Sequence, residues 1–169
     1  MLKKGKKQIN SVWNILAVTR LLLGSVFLWA FFDKWLGLGY ATTTENAWIQ
    51  GGSPTEGFLT GVSSGEGMFS SFFSGLVGQV WVDWVFMLGL LGVGVALLLG
   101  IALKLAAVSG AAMLVLMWMA LLPLSNNPLV DDHIVYAVVL FAIAMAEPRW
   151  SLTKWWHSQN IVKKNKWLQ

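Results

Sequence analysis

A chain of 169 residues with only 12% charged and 56% hydrophobic residues holds about half the charge of a soluble domain, for which roughly 25% is usual. Its net charge of +4 comes from residues that flank apolar runs, which argues against nucleic acid and for anionic lipid headgroups. The absence of cysteine excludes disulfides, thiolate metal sites and cysteine-ligated iron–sulfur clusters, and two histidines, one of them His157 in a basic tail, do not suit a buried haem.

No bound metal or haem is therefore expected, and redox chemistry would need an exogenous carrier or a partner protein. The 11 Trp fit aromatic belts at lipid–water boundaries. The expected class is an all-α membrane protein, a single membrane domain over residues 1–169 built as a four-transmembrane-helix bundle. Both termini are expected to be cytoplasmic, and an outer loop of short helices is expected to act as a lid.

The first span is expected from about Trp13 to Gly37. The opening "MLKKGKK" resembles a signal peptide, but the apolar run behind it is long, lacks a clear small-residue cleavage site and includes Arg20 and Asp33-Lys34, so it reads as a retained anchor. Arg20 lies roughly 10 Å into this span. A buried arginine there costs several kcal/mol unless it faces protein and finds a partner. On a helix, Arg20, Gly24, Phe27, Phe31 and Lys34 fall on one stripe, and Asp33 points elsewhere.

Residues 38–79 form a loop without Lys or Arg. Trp48, Ile49, Phe58, Leu59, Phe69, Phe72 and Phe73 argue that it is folded. Two capping boxes, Thr42 to Glu45 and Ser53 to Glu56, predict short helices there, the second with Pro54 at its first helical position. A passive amphipathic cap is the alternative to a functional lid.

The second span is expected at Val80–Leu99 and the third at Leu105–Leu122, with "GIALK" between them enforcing a tight hairpin. Gly89, Gly92 and Gly94 in one and Ala106, Ala107, Gly110 and Ala111 in the other suit close helix packing. The turn 123–130 again lacks Lys and Arg.

The fourth span is expected over Asp131–Glu147, closed by Pro148. Its uncharged part, Ile134–Ala146, covers only about 20 Å of a bilayer core of roughly 30 Å, so its charged ends must be drawn in. Residues 149–169 then form a basic interfacial tail with Trp155, Trp156 and Trp167 among lysines. If four spans alternate, the Lys and Arg outside the first span all fall on the side of the termini.

His133 and Glu147 are 14 residues apart, as are Arg20 and Lys34. In antiparallel spans this register predicts a structural ion pair of Arg20 with Glu147 at the inner end. At the outer end it predicts a cluster of Lys34, His133 and Asp131/Asp132 under the lid. The alternatives are that Arg20 snorkels to the headgroups and that Asp131 or Asp132 caps the fourth helix. His133 can exchange protons near neutral pH.

Four segments, "RLLLGSVFLWAFFDKWLGLGY", "GGSPTEGFLTG", "DWVFMLGLLGVGVALLLG" and "NNPLVDDHIVYA", together resemble the DoxX/DoxD family of membrane proteins. The family's best-known activity is the membrane subunit of thiosulfate:quinone oxidoreductase. The resemblance implies a four-helix bundle, oxidation of thiosulfate or a related small sulfur anion, quinone as electron acceptor and a second subunit. The chain departs from the pattern at Leu90, where many relatives have a glutamate.

On that reading Lys34 contacts the anion, and His133, Asp132 or Asp83 exchange protons. Trp35, Trp81, Trp84 and Tyr136 line a quinone pocket or, alternatively, belong to the interfacial belt. A non-catalytic membrane scaffold docking a soluble redox partner is the second reading, and a small transporter a weaker third. The partners implied are membrane lipids, a second oxidoreductase subunit or soluble redox partner, and a further copy of the chain.

Overall fold

The computed structural model describes every residue except Met1, Glu66, Asn126 and Gln169, and every side chain except those of residues 2–7 and Lys166 as well. The side chains of Lys3, Lys4, Lys6, Lys7 and Lys166, and Asn126 of the "NNPLVDDHIVYA" segment, thus lie outside the description.

The fold is helical, without strands among the described residues. Helices α1 (Leu2–Leu36), α4 (Val80–Leu99), α5 (Leu103–Ala120) and α6 (Asp132–Met145) form the bundle. Helices α2 (Glu56–Ser63) and α3 (Ser70–Ser74), with short 3-10 turns at Thr44–Asn46 and Trp48–Gln50, fill the long loop. Helices α7 (Thr153–Ser158) and α8 (Asn160–Lys164) and a last 3-10 turn form the tail.

Among the described residues, Gln8–Leu36 of α1, α4 and α5 are long and apolar enough to cross a membrane, as a membrane protein requires. Helix α6, at 14 residues, is shorter. It stops at Met145 rather than at Glu147, because Ala146 is already extended and Pro148 keeps Glu147 out of the helical region. At its other end α1 begins well before Trp13. Lys and Gln favour helix as well as apolar residues do, and hydropathy alone does not register them.

Neighbours pack in the order α1, α4, α5, α6, with α6 returning to α1. Gly24 of α1 backs onto Gly94, Leu97 and Leu98, while Lys34, ten residues later in α1, lies beside Phe86. Helices α1 and α4 are thus antiparallel. A Cβ at Gly24 would stand 3.0 Å from the Leu97 Cβ, so the absent side chain sets the helix separation. Gly110 meets Leu140 and Val93 in the same manner, but Gly92, expected at a contact, has nothing within 4 Å. Leu90 is packed in the core with Phe27, Met87 and Leu140.

The end that holds both termini is organised by Arg20, which is 2% exposed. The predicted pair with Glu147 is not formed. The Arg20 guanidinium donates instead to the carbonyls of Leu97 and Leu98 (3.0 Å) at the end of α4, and to those of Arg149 (3.1 Å) and Trp150 (2.9 Å) after α6. The last turn of a helix leaves its carbonyls without intrahelical donors and carries the negative end of the dipole, so a cation satisfies both at once.

Glu147 turns outward to Arg149, 3.8 Å away. Arg149 also donates to Asn14 (3.1 Å) and Asn10 (2.6 Å) of α1. Gly100 ends α4 at φ +67, and a Cβ there would run into Ser151 and Arg20. The Leu152 N–H donates to the Leu99 carbonyl (2.8 Å) and the Thr153 hydroxyl to the Gly100 carbonyl (2.5 Å), closing the knot.

Arg20→Gln is expected to cost roughly 3 kcal/mol or more in unfolding measured in detergent micelles, since buried carbonyls lose a charged donor. Glu147→Gln should cost less than about 0.5 kcal/mol, as for an exposed pair. Equal losses would restore the Arg20–Glu147 pairing.

Candidate functional site

The opposite end of the bundle is covered by residues 38–79, and two buried carboxylates fasten that cover. Asp33 sits in the last turn of α1 and is 2% exposed. An acid at a helix C-terminus is unfavourable to the dipole, so it requires donors from beyond the helix. The chain supplies them by turning back at Gly37 (φ +66), which brings the N–H groups of Tyr40 (3.2 Å) and Ala41 (2.9 Å) onto the Asp33 carboxylate. The Thr44 hydroxyl completes the turn on the Gly37 carbonyl at 3.1 Å.

Asp83 lies in the first turn of α4 and is 7% exposed. Its Oδ1 accepts from the Ser53 hydroxyl (2.8 Å), the Thr55 N–H (3.2 Å) and the Thr55 hydroxyl (2.6 Å). Ser53 Oγ in turn accepts the Glu56 N–H at 3.1 Å, the bond expected of the second capping box, and starts α2. Pro54 stands in the turn before α2 rather than at its first helical position. The first box opens only the 3-10 turn Thr44–Asn46, where the backbone N–H of Glu45 and the Thr43 hydroxyl hold the Glu45 carboxyl below the usual carboxylate range.

Apolar contacts finish the cover. Leu59 and Phe73 from α2 and α3 are buried against Ala120 at the end of α5, with Val82 and Met119 beside them. Trp48 packs on the bundle core and stands edge-on to Trp84, centroids 4.7 Å apart.

Asp131 caps α6 as expected, its Oδ1 accepting the Ile134 N–H at 3.3 Å, and its Oδ2 lies 2.7 Å from His133 Nδ1. Asp132 approaches the same ring nitrogen at 3.6 Å. The bond to Asp131 fixes the orientation of the His133 ring.

Lys34 does not join this group. It forms neither a hydrogen bond nor an ion pair with His133, Asp131 or Asp132, and its ammonium lies 5.9 Å from the centroid of the Phe86 ring. Asp33, its sequence neighbour, has both oxygens bonded to loop N–H groups, and among the described residues Lys34 has no carboxylate within 4 Å. The aromatics also stay apart: Trp35 meets Phe31 (5.8 Å) and Phe32 (6.2 Å), and Trp84 meets Trp48. Trp81, Trp84 and Tyr136 are exposed, as suits a belt facing lipid headgroups.

Asp33 was not among the sequence-derived site residues. Its signal was an acid in the last helical turn followed by "WLGLGY", a helix end that needs a receiver for loop N–H groups. No family model, curated protein or solved structure matches the chain.

Asp83→Ala should release the Ser53–Thr55 segment. Amide exchange at Thr55 and Glu56 is expected to rise at least about tenfold while the middle of α4 stays protected, consistent with loss of about 1.4 kcal/mol or more of local stability. Asp83→Asn, which keeps an acceptor oxygen, should have a smaller effect. Unchanged exchange in both variants would remove Asp83 from the fastening.

Proposed function

We propose that the chain is a DoxX/DoxD-like integral membrane subunit of a quinone-linked oxidoreductase that acts on thiosulfate or a related small sulfur anion. In this reading all four bundle helices cross the membrane, both termini are cytoplasmic and the cover lies outside. Helix α6 crosses with its polar ends drawn towards the headgroups, a mismatch that bilayers accommodate by thinning. The observation that supports the reading best is Lys34, a half-buried cation near the covered end that makes no ion pair within 4 Å among the described residues. An ammonium that lies over the Phe86 ring and makes no ion pair within 4 Å among the described residues has donors to offer a small dianion arriving from outside.

In the reaction, thiosulfate ions join in pairs through a new S–S bond, and the electrons released pass to quinone, which takes up protons. Lys34 holds the anion, and His133, oriented by Asp131, is the group placed to exchange protons. Asp83 is assigned to positioning the cover rather than to proton transfer, because its Oδ1 already receives three donors. Trp35 makes its ring contacts with Phe31 and Phe32 and Trp84 with Trp48, and no step is assigned to them or to Tyr136.

A second reading, a scaffold for a soluble redox partner, draws on the outward apolar side chains of the cover. Tyr40, Ile49, Met68 and Phe72 are all more than half exposed. The two readings separate in one assay. Purified protein, with and without co-purifying subunits, is mixed with thiosulfate and a soluble quinone while quinol formation is followed. Turnover that falls at least about tenfold in Lys34→Ala, and less than about twofold in Trp155→Ala, is the expected result for loss of one charged contact. Absence of turnover in both preparations, with a soluble protein recovered in fixed ratio, would replace the enzyme by the scaffold.

A further inference from the structure

On the flank of the bundle, at the end holding the termini, an open groove of about 560 Å³ runs between α5 and α6. It is lined by Lys104, Ala107, Val108, Phe141, Ala144 and Met145. Ala107, 2% exposed, forms the floor because its small side chain leaves the space, while Val108 and Phe141 stand at the sides and Met145 is 82% exposed. The groove is open to the surroundings of α5, itself a candidate membrane span, and its walls are hydrocarbon apart from Lys104.

The charge at its mouth is not balanced by the protein. Lys104 lies in the first turn of α5, where the helix dipole is already positive. That turn contains no acid, and its N-cap, Ala102, supplies no side-chain acceptor to the free N–H groups. Lys104 has no carboxylate within 4 Å among the described residues. The Leu152–Leu99 and Thr153–Gly100 bonds bring the start of the tail, with Lys154, to the same end. The acid closest in sequence to the groove, Glu147, faces Arg149.

We propose that this groove binds an anionic glycerophospholipid, one acyl chain lying along Ala107, Phe141 and Ala144 and the phosphate resting on Lys104 and the uncapped first turn of α5. A second copy of the chain fits less well. Of its exposed acids among the described residues, Glu45, Glu56 and Asp132 lie at the covered end, and Glu147, at the level of Lys104, already faces Arg149. The site lies at the opposite end from Lys34 and His133, and it stands or falls independently of the proposed reaction.

The test is competition between phosphatidylglycerol and phosphatidylcholine, supplied in equal amounts to the intact protein in mild detergent, with retained lipid read by native mass spectrometry. The expected preference for phosphatidylglycerol is about fivefold, the factor for one lysine facing an anionic headgroup. Lys104→Gln, an exposed substitution, should bring it to near parity. Ala144→Phe should lower retention of both lipids by filling the groove, and the triple change of Lys154, Lys163 and Lys164 to Gln should leave the preference in place. An unchanged preference in Lys104→Gln would overturn the proposal. So would a preference lost only in the triple variant, or a dimer that excludes both lipids. If Ala144→Phe fails to fold, the Lys104→Gln result decides.

Discussion

A guanidinium that cannot leave a low-dielectric interior must be satisfied where it stands, and in this chain Arg20 is satisfied entirely by backbone oxygen. Its four carbonyl partners belong to the last turn of α4 and to the non-helical chain after α6. Replacing a carboxylate partner by carbonyls avoids the desolvation of a second charge, which in a buried ion pair can exceed the Coulombic gain. It also fixes geometry. Three chain segments must converge on one planar group, which places α1, α4 and the exit of α6 at the same end and requires Gly100 to turn left-handed against Ser151.

The covered end uses the same logic with the sign reversed. Asp33 and Asp83 are buried carboxylates that collect N–H and O–H groups from the loop, so a cover of short helices is held to the bundle at two points. Apolar packing of Leu59 and Phe73 alone would leave those loop N–H groups to water. One consequence is electrostatic. Both acids thereby point their oxygens at loop donors, and the Lys34 ammonium lies over the Phe86 ring instead of forming a close ion pair with a described carboxylate. The knot and the cover therefore divide the labour: one sets the bundle, the other shapes its outer surface.

Much of this organisation is legible in the sequence. The apolar run from Val80 to Leu99 gives α4 its bounds, because hydropathy and a glycine stop coincide there, while α5 begins at Leu103, two residues earlier than expected, and shortens the "GIALK" turn. Stripe geometry correctly brings Arg20 level with the exit of the last bundle helix, and the Ser53–Glu56 box starts α2. The partner of Arg20 is not legible, since carbonyl acceptors are the same at every position and leave no side-chain signature. Register likewise sets Lys34 and His133 at one end without saying that Asp131 takes the histidine for itself. Asp83 attracts notice as an intramembrane acid, but only the folded loop reveals that its oxygen is spent on Ser53 and Thr55.

The central claim, that the Arg20 knot ties the beginning of α1 and the tail to one face with the cover on the other, is open to direct measurement because the chain lacks native cysteine. Single substitutions Gln8→Cys, Gly57→Cys and Ser158→Cys can be probed in sealed vesicles of known orientation with a membrane-impermeant maleimide. The account predicts that positions 8 and 158 react from the same face and position 57 from the opposite one. Reaction of positions 8 and 158 from opposite faces would contradict it.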